Sequence, residues 1–154
     1  MRSVFLFLLF YICICLATAQ TSLTADQRQA ILDYQLTMPK ANSLASAMQE
    51  LTKYLASLPN SQERGLRLAA MSPAELRALL EKDAKAMAIL TQNGLTVRDY
   101  LIGTNTLVMA YTIAATGASN SYIFASPANI AFAKAHLTEL KPRMDAVRAA
   151  ARGN

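Results

Sequence analysis

The sequence predicts an all-α protein, an irregular antiparallel bundle of five or six helices in one domain. Alanine, the residue with the highest helix propensity, is abundant, whereas the 154 residues include five glycines and five prolines. Apolar residues recur at spacings of three and four, and capping residues precede several of these apolar stripes. The short connections between the stripes favour antiparallel neighbours.

Residues 1–19 predict a cleavable signal peptide. A positive charge near the start is followed by an unbroken apolar run over residues 4–16 and by small residues before a cut expected between Ala19 and Gln20. This run is shorter than the roughly 20 apolar residues that a membrane-spanning helix needs, so cleavage is favoured over retention as an anchor. We therefore expect a periplasmic or secreted protein, with no stable membrane insertion after cleavage and a single domain over residues 20–154.

Cysteine use and charge narrow the class of protein further. Both cysteines, Cys13 and Cys15, lie in the apolar run, and each follows a bulky isoleucine rather than the small residue that lipidation requires. The mature domain would have neither disulfides nor thiol chemistry. Without Arg2 it keeps 14 basic and 10 acidic side chains, a net charge of +4.

The basic residues are scattered except for a concentration near the C-terminus. No aromatic residues are interleaved there, as a nucleic-acid platform would require, so we expect no nucleic-acid partner. A solvated helix face is favoured over a surface for phosphate or anionic lipid. The residues concerned are Lys134, Lys141, Arg143, Arg148 and Arg152.

The first half of the chain predicts two helices and a short helical stretch. Thr24 begins a capping-box pattern that starts a helix over about residues 25–34. Thr37 caps the next helix, which carries a proline in its first turn and one apolar stripe over about residues 38–57. Residues 62–71 predict another helical turn or two.

The clearest helix start in the chain follows these elements. Ser72 is a capping residue, a proline occupies the first helical position, and Glu75 completes a capping box. The helix either runs through to the stop signal at Asn93 and Gly94 or is capped again at Asp83.

The next helix is predicted to be the central one. Thr96 caps a segment over residues 97–115 that is apolar over much of its circumference. Gly103, inside this segment, is more typical of a close helix–helix contact than of a hinge. A long loop over residues 116–125 follows.

The last apolar stripe starts at a second Ser-Pro pair, Ser126 and Pro127, and continues to Ala151. Pro142 lies within it. Because an interior proline removes a backbone hydrogen bond and clashes one turn back, we expect a kink or break near residues 138–141.

Two segments carry a family resemblance. They are Gly94-Leu-Thr-Val-Arg-Asp-Tyr100 and Ser126-Pro-Ala-Asn-Ile-Ala-Phe132, the latter followed by His136. They resemble a group of small exported bacterial proteins of unknown function, in which an asparagine stands where this chain has Ser126. The resemblance covers roughly Leu36 to Leu140 and implies a helical fold and export. It implies no reaction, ligand or catalytic residue.

Four residues of the predicted central helix are candidate ligand-binding residues. Thr104 and Asn105 interrupt its apolar surface, and Tyr100 and Tyr111 could form the walls of a cleft beside them. The alternative is that the two polar side chains make hydrogen bonds within the helix packing.

Two further candidates lie after the long loop. Asn129 stands at the third helical position after Ser126, where it could bond the loop backbone before that cap or contact a ligand. His136, the one histidine of the sequence, has Glu139 one turn away, and the favoured interpretation is a helix residue paired with that glutamate.

Three functional hypotheses follow from these patterns. The first is a binding or interaction module of the bacterial envelope, whose partner is an unknown protein and which could form a homo-oligomer. The second is a carrier of a small apolar ligand held between helices. The third, ranked last, is an enzyme using His136 with Glu139. No catalytic motif is recognisable, and no spacing of ligand residues indicates a metal or cofactor.

Overall fold

The computed structural model describes residues 23–118 and 123–152. The predicted signal peptide, its cleavage site and both cysteines lie outside the described residues.

The described part of the chain is all-helical and contains eight helices and no strand. These helices are α1 (Ala25–Asp33), α2 (Met38–Ser57), α3 (Ser61–Ala70), α4 (Pro73–Lys82), α5 (Ala84–Gln92), α6 (Val97–Thr116), α7 (Pro127–Ala135) and α8 (Leu137–Ala151).

The all-α prediction is confirmed, but the expected number of five or six helices was too low. One reason is Asp83, which ends α4 and begins α5. Its carboxylate accepts hydrogen bonds of 3.0 Å from the amides of Lys85 and Ala86, so the chain restarts as a second helix rather than running through. Residues 61–70 also form a full helix where a turn or two was expected.

The predicted break near Pro142 occurs earlier, at His136, which separates α7 from α8. Pro142 lies inside α8 and cannot donate to the carbonyl of Thr138. Because Thr138 and Pro142 are both exposed, water can bond to that carbonyl, and the helix continues through the proline.

The predicted starts of four helices are confirmed by their capping geometry. The side chains of Thr24, Ser72 and Thr96 each accept a hydrogen bond from the amide three residues on. In return, the Gln, Glu or Asp side chain at that third position accepts from the backbone amide of the capping residue. Ser126 accepts from the amide of Asn129 at the start of α7.

Two apolar clusters form the core. The first core cluster contains Leu36, Ala41, Leu44, Leu107, Ala110, Tyr111, Ala133, Leu140 and Met144. The second core cluster contains Ala47, Leu51, Leu80, Ala86, Ile89, Leu90 and Val97. The start of α2 meets the end of α6 in the first cluster, and the end of α2 meets the start of α6 in the second. These two helices therefore run antiparallel.

Helix α6 is central, as predicted: it packs against α1, α2, α4, α5, α7 and α8. The most extensive pairing joins α2 to α8. Among the described residues, no helix combines the length and apolar character needed to cross a membrane.

Candidate functional site

An open groove lies between α1, the connection to α2, and the first turns of α6. It has a volume of about 670 Å³. Its lining residues are Asp26, Gln29, Ala30, Asp33, Tyr34, Gln35, Lys40, Arg98, Asp99 and Ile102. Most of these residues are polar or charged, and three helices contribute to them.

Helix α1 provides the acidic side of the groove. Asp26, Ala30 and Asp33 lie on one face because they are spaced by four and then three residues. The two carboxylate-bearing residues are therefore two turns apart, about 10 Å along the helix axis. The amide group of Gln29 donates to Asp33 Oδ1 at 2.8 Å, whereas Asp26 has no side-chain ion pair or hydrogen bond among the described residues.

The cations of the groove come from α2 and α6. Lys40 Nζ donates to the Gln35 carbonyl at 3.3 Å and lies 5.1 Å from the centre of the Tyr34 ring. The exposed guanidinium of Arg98 has neither a hydrogen bond nor an ion pair within the described part of the chain. Neither cation is paired with Asp26 or Asp33 in the described ranges.

Asp99 also lines the groove, but its carboxylate is engaged at the start of α6. It accepts from the Thr96 hydroxyl at 2.6 Å and from the Thr96 amide at 3.4 Å. Burial, together with the negative charge of Asp99, raises the pKa of Tyr34 above its ordinary value. Tyr34 therefore presents a neutral phenol to the groove.

Two buried polar side chains hold the end of α1 in place. The hydroxyl of Thr106, with no exposed surface, lies 3.2 Å from the Ile31 carbonyl of α1 and 3.0 Å from the Ile102 carbonyl of its own helix, and its one proton is shared between these two acceptors. Asn129, which is 3% exposed, donates to the Tyr34 carbonyl at 2.6 Å and accepts from the Leu36 amide at 3.0 Å. Since α1 forms one wall of the groove, these bonds set the position of that wall.

Gly103 allows the Tyr34 ring to lie directly against α6. A Cβ atom at this position would be 2.9 Å from both Cδ atoms of Leu44 and 2.9 Å from Cζ of Tyr34. The predicted close contact at Gly103 is therefore confirmed, and it involves a residue of the groove.

The four candidates on α6 are not brought together into one site. Tyr100 packs against the second core cluster, whereas Tyr111 belongs to the first. Thr104 donates to the Tyr100 carbonyl at 2.6 Å, and Asn105 donates to the Leu101 carbonyl at 2.7 Å, so both bond their own helix. Burial raises the pKa of Tyr100 to about 12, which keeps its phenol neutral. None of the four lines the groove.

The other two candidates have different surroundings. Asn129 bonds a backbone segment 93 to 95 residues away in sequence, not the loop before its own helix. His136 Nδ1 lies 3.1 Å from Glu139 Oε1, the pairing that the sequence favoured, and its ring centre is 4.8 Å from that of Phe132. No group of three or more His, Cys, Asp or Glu residues in the described ranges could hold a metal ion.

Sequence reasoning did not single out the charged residues of the groove. The spacing of Asp26 and Asp33 on one face of α1 was available as a signal, as was the position of Arg98 in the first turn of α6. Only the packing of α1 against α6 shows that these residues share a groove.

Comparisons with models of protein families, with curated proteins and with solved structures find no match for this chain.

Proposed function

We propose that this protein is an exported binding module of the bacterial envelope and that the groove between α1 and α6 receives its ligand or partner. The observation that carries this proposal is the set of unpaired charges in the groove. Asp26 and Asp33 on one side and Arg98 and Lys40 on the other share a groove without forming ion pairs with one another. Charged groups held in a concavity without partners are available to a bound molecule.

The size of the groove supports the proposal, and its lining favours a polar occupant. Its volume of about 670 Å³ is within the range of small-molecule sites, roughly 300–1,000 Å³. Its apolar lining is limited to Ala30, Ile102 and the ring of Tyr34. A carrier of a small apolar ligand would need a larger apolar surface, so we favour a polar small molecule or a polar segment of a partner protein.

Export is part of the proposal and has its own test. Residues 1–19 have the pattern of a signal peptide, which also agrees with the resemblance to small exported bacterial proteins. The protein recovered from the periplasm or medium of an exporting host should have the mass of residues 20–154. A protein of full-length mass that stays with the membrane fraction would contradict cleavage and favour an anchor.

Site-specific photocrosslinking in the exporting cell tests binding at the groove. A photoreactive amino acid replaces Gln35, which is exposed and lines the groove, and in a matched variant it replaces Lys134, which is exposed on α7. We expect a crosslinked product of defined mass from position 35 and no such product from position 134. The yield from position 35 should fall in an Arg98→Gln variant. Identical products from both positions, or none from position 35, would contradict the proposal.

A further inference from the structure

We infer that the groove binds a zwitterion, with the cationic group of the ligand against Asp26 and Asp33 and its anionic group against Arg98 and Lys40. This inference rests on the proposed function and specifies the chemical class of the ligand. It follows from which charges in the groove are already compensated and which are not.

The acidic side of the groove has two uncompensated carboxylates. Asp26 makes no side-chain hydrogen bond or ion pair with the described residues. Asp33 accepts one hydrogen bond from the neutral amide of Gln29, which leaves its charge in place. Asp99 is held at the start of α6 by bonds from the neutral amide and hydroxyl of Thr96, which likewise leave its charge in place. Because Asp26 and Asp33 lie two turns apart on α1, an ammonium group of a ligand would pair with one of these two carboxylates at a time.

The opposite side has two uncompensated cations. The guanidinium of Arg98 has none of its five donors engaged by the described residues, and its planar fork matches a carboxylate or phosphate group. Lys40 donates to a neutral carbonyl, so its charge is also uncompensated. A carboxylate of a ligand would find donors on this side.

The balance of these charges disfavours the other ligand classes. The lining holds three carboxylates, Asp26, Asp33 and Asp99, and two cations, so a purely anionic ligand would be repelled by the carboxylates and a purely cationic one would leave Arg98 and Lys40 without a counter-charge. An apolar ligand would bury charged groups without giving them partners, which is costly. A molecule with both charges satisfies both sides at once.

The groove also suits the uncharged part of such a molecule. Ala30, Ile102 and the neutral Tyr34 add uncharged surface to the lining. An extended tripeptide, about 10 Å long, carries one charge at each end and an uncharged chain between them. A short peptide with free termini is therefore a suitable probe.

The test is an amide NMR titration of the exported protein with triglycine and with two end-blocked forms. N-acetyl triglycine lacks the cation, and triglycine amide lacks the anion. We expect triglycine to shift the resonances of groove residues and each blocked form to bind about threefold more weakly, since an exposed ion pair contributes 0.2–1 kcal/mol and each block removes one such pair. Equal binding of all three peptides, or shifts outside the groove, would overturn the inference.

Variants assign each end of the ligand to its side of the groove. Arg98→Gln should reduce the difference between triglycine and its amide, because Lys40 is then the one cation that the inference leaves to the carboxylate. Asp33→Asn should reduce the difference between triglycine and its N-acetyl form, because Asp26 is then the one acceptor that it leaves to the ammonium group. Arg143→Gln, which removes an exposed cation on α8, is the matched control and should leave both differences unchanged. If either groove variant keeps its full preference, the assignment is wrong.

The outcomes separate this inference from the proposed function. If triglycine fails to bind while position 35 still crosslinks to a defined species, the zwitterion inference is overturned and the groove remains a binding site. If triglycine does not bind and position 35 gives no crosslinked product, the zwitterion inference and the proposed function are both overturned.

Discussion

Replacing Asn129 by alanine should destabilise the protein strongly, although the side chain lies within a helix far in sequence from the segment it holds. Asn129 donates to the Tyr34 carbonyl and accepts from the Leu36 amide, which lie in the connection between α1 and α2. Alanine keeps α7 helical but leaves both backbone groups without their partner.

The expected loss of stability is about 3 kcal/mol. Each hydrogen bond contributes about 1 kcal/mol, and a buried donor left without a partner adds roughly 1–2 kcal/mol. The second contribution applies mainly to the amide of Leu36, which is buried, whereas the half-buried Tyr34 can admit water to its carbonyl. At about 3 °C per kcal/mol for a domain of this size, the melting temperature should fall by roughly 10 °C.

Urea unfolding followed by helical circular dichroism measures this loss, with Asn105→Ala as the matched control. Asn105 also donates from its side-chain amide to a backbone carbonyl, but that carbonyl belongs to its own helix. Removing the Asn105 side chain leaves no buried backbone group without a hydrogen-bond partner, and alanine has the higher helix propensity. The control should therefore change the free energy of unfolding by less than about 0.5 kcal/mol. Amide hydrogen exchange should also become faster in α1 than in α8 for the Asn129 variant.

The reasoning would be refuted if Asn129→Ala and Asn105→Ala changed the free energy of unfolding equally, or if the Asn129 variant lost less than about 1 kcal/mol. Either result would mean that the long-range bonds do not hold the end of α1.

Three other substitutions test the packing and capping of the fold. Gly103→Ala should cost about 1 kcal/mol in urea unfolding, because overpacking of 1–3 kcal/mol exceeds a propensity gain of about 1 kcal/mol. The cost should be smaller in a Leu44→Ala background, where the contact with Tyr34 remains but both contacts with Leu44 are gone, and equal effects in the two backgrounds would contradict the close contact. Thr106→Val, which keeps the shape of the side chain, should lose up to about 1 kcal/mol, because the hydroxyl shares one proton between the Ile31 carbonyl of α1 and the Ile102 carbonyl of its own helix. No loss would exclude a role for Thr106 in holding α1. Burial acts to raise the pKa of Asp83, but hydrogen bonds from helix amides and from the Tyr54 hydroxyl outweigh it and hold the pKa below the ordinary value of 3.8. The ionised Asp83 carboxylate therefore stabilises the folded protein above pH 3.8, and this contribution is lost as the pH falls through the lower folded-state pKa. Tyr54→Phe should therefore be less stable than the wild type above pH 3.8 and converge with it in stronger acid, whereas a pH-independent difference would exclude this coupling.

The sequence predicted the features of the fold that depend on neighbouring residues. Capping residues such as Thr24, Ser72, Thr96 and Ser126 bond to amides three residues away, so the starts of their helices could be read locally. The bounds of α2, Met38–Ser57, agree with its apolar stripe.

The missed features depend on competing local effects or on long-range packing. The number of helices was underestimated because Asp83 can either end one helix or begin another, and His136 separates two helices that share one apolar stripe. The groove was missed because it requires α1 to pack against α6, which no local pattern encodes. The polar residues Thr104 and Asn105 attracted attention in the sequence, yet their bonding needs are met within their own helix.

Native mass spectrometry of the gently purified protein tests most directly whether the groove is the binding site. The wild type should carry an added mass, either a small molecule or a partner chain. That added mass should be lost in the Asp33→Asn/Arg98→Gln variant and retained in Arg143→Gln. A bare monomer in every case, or the same added mass in the groove variant as in the wild type, would contradict the account.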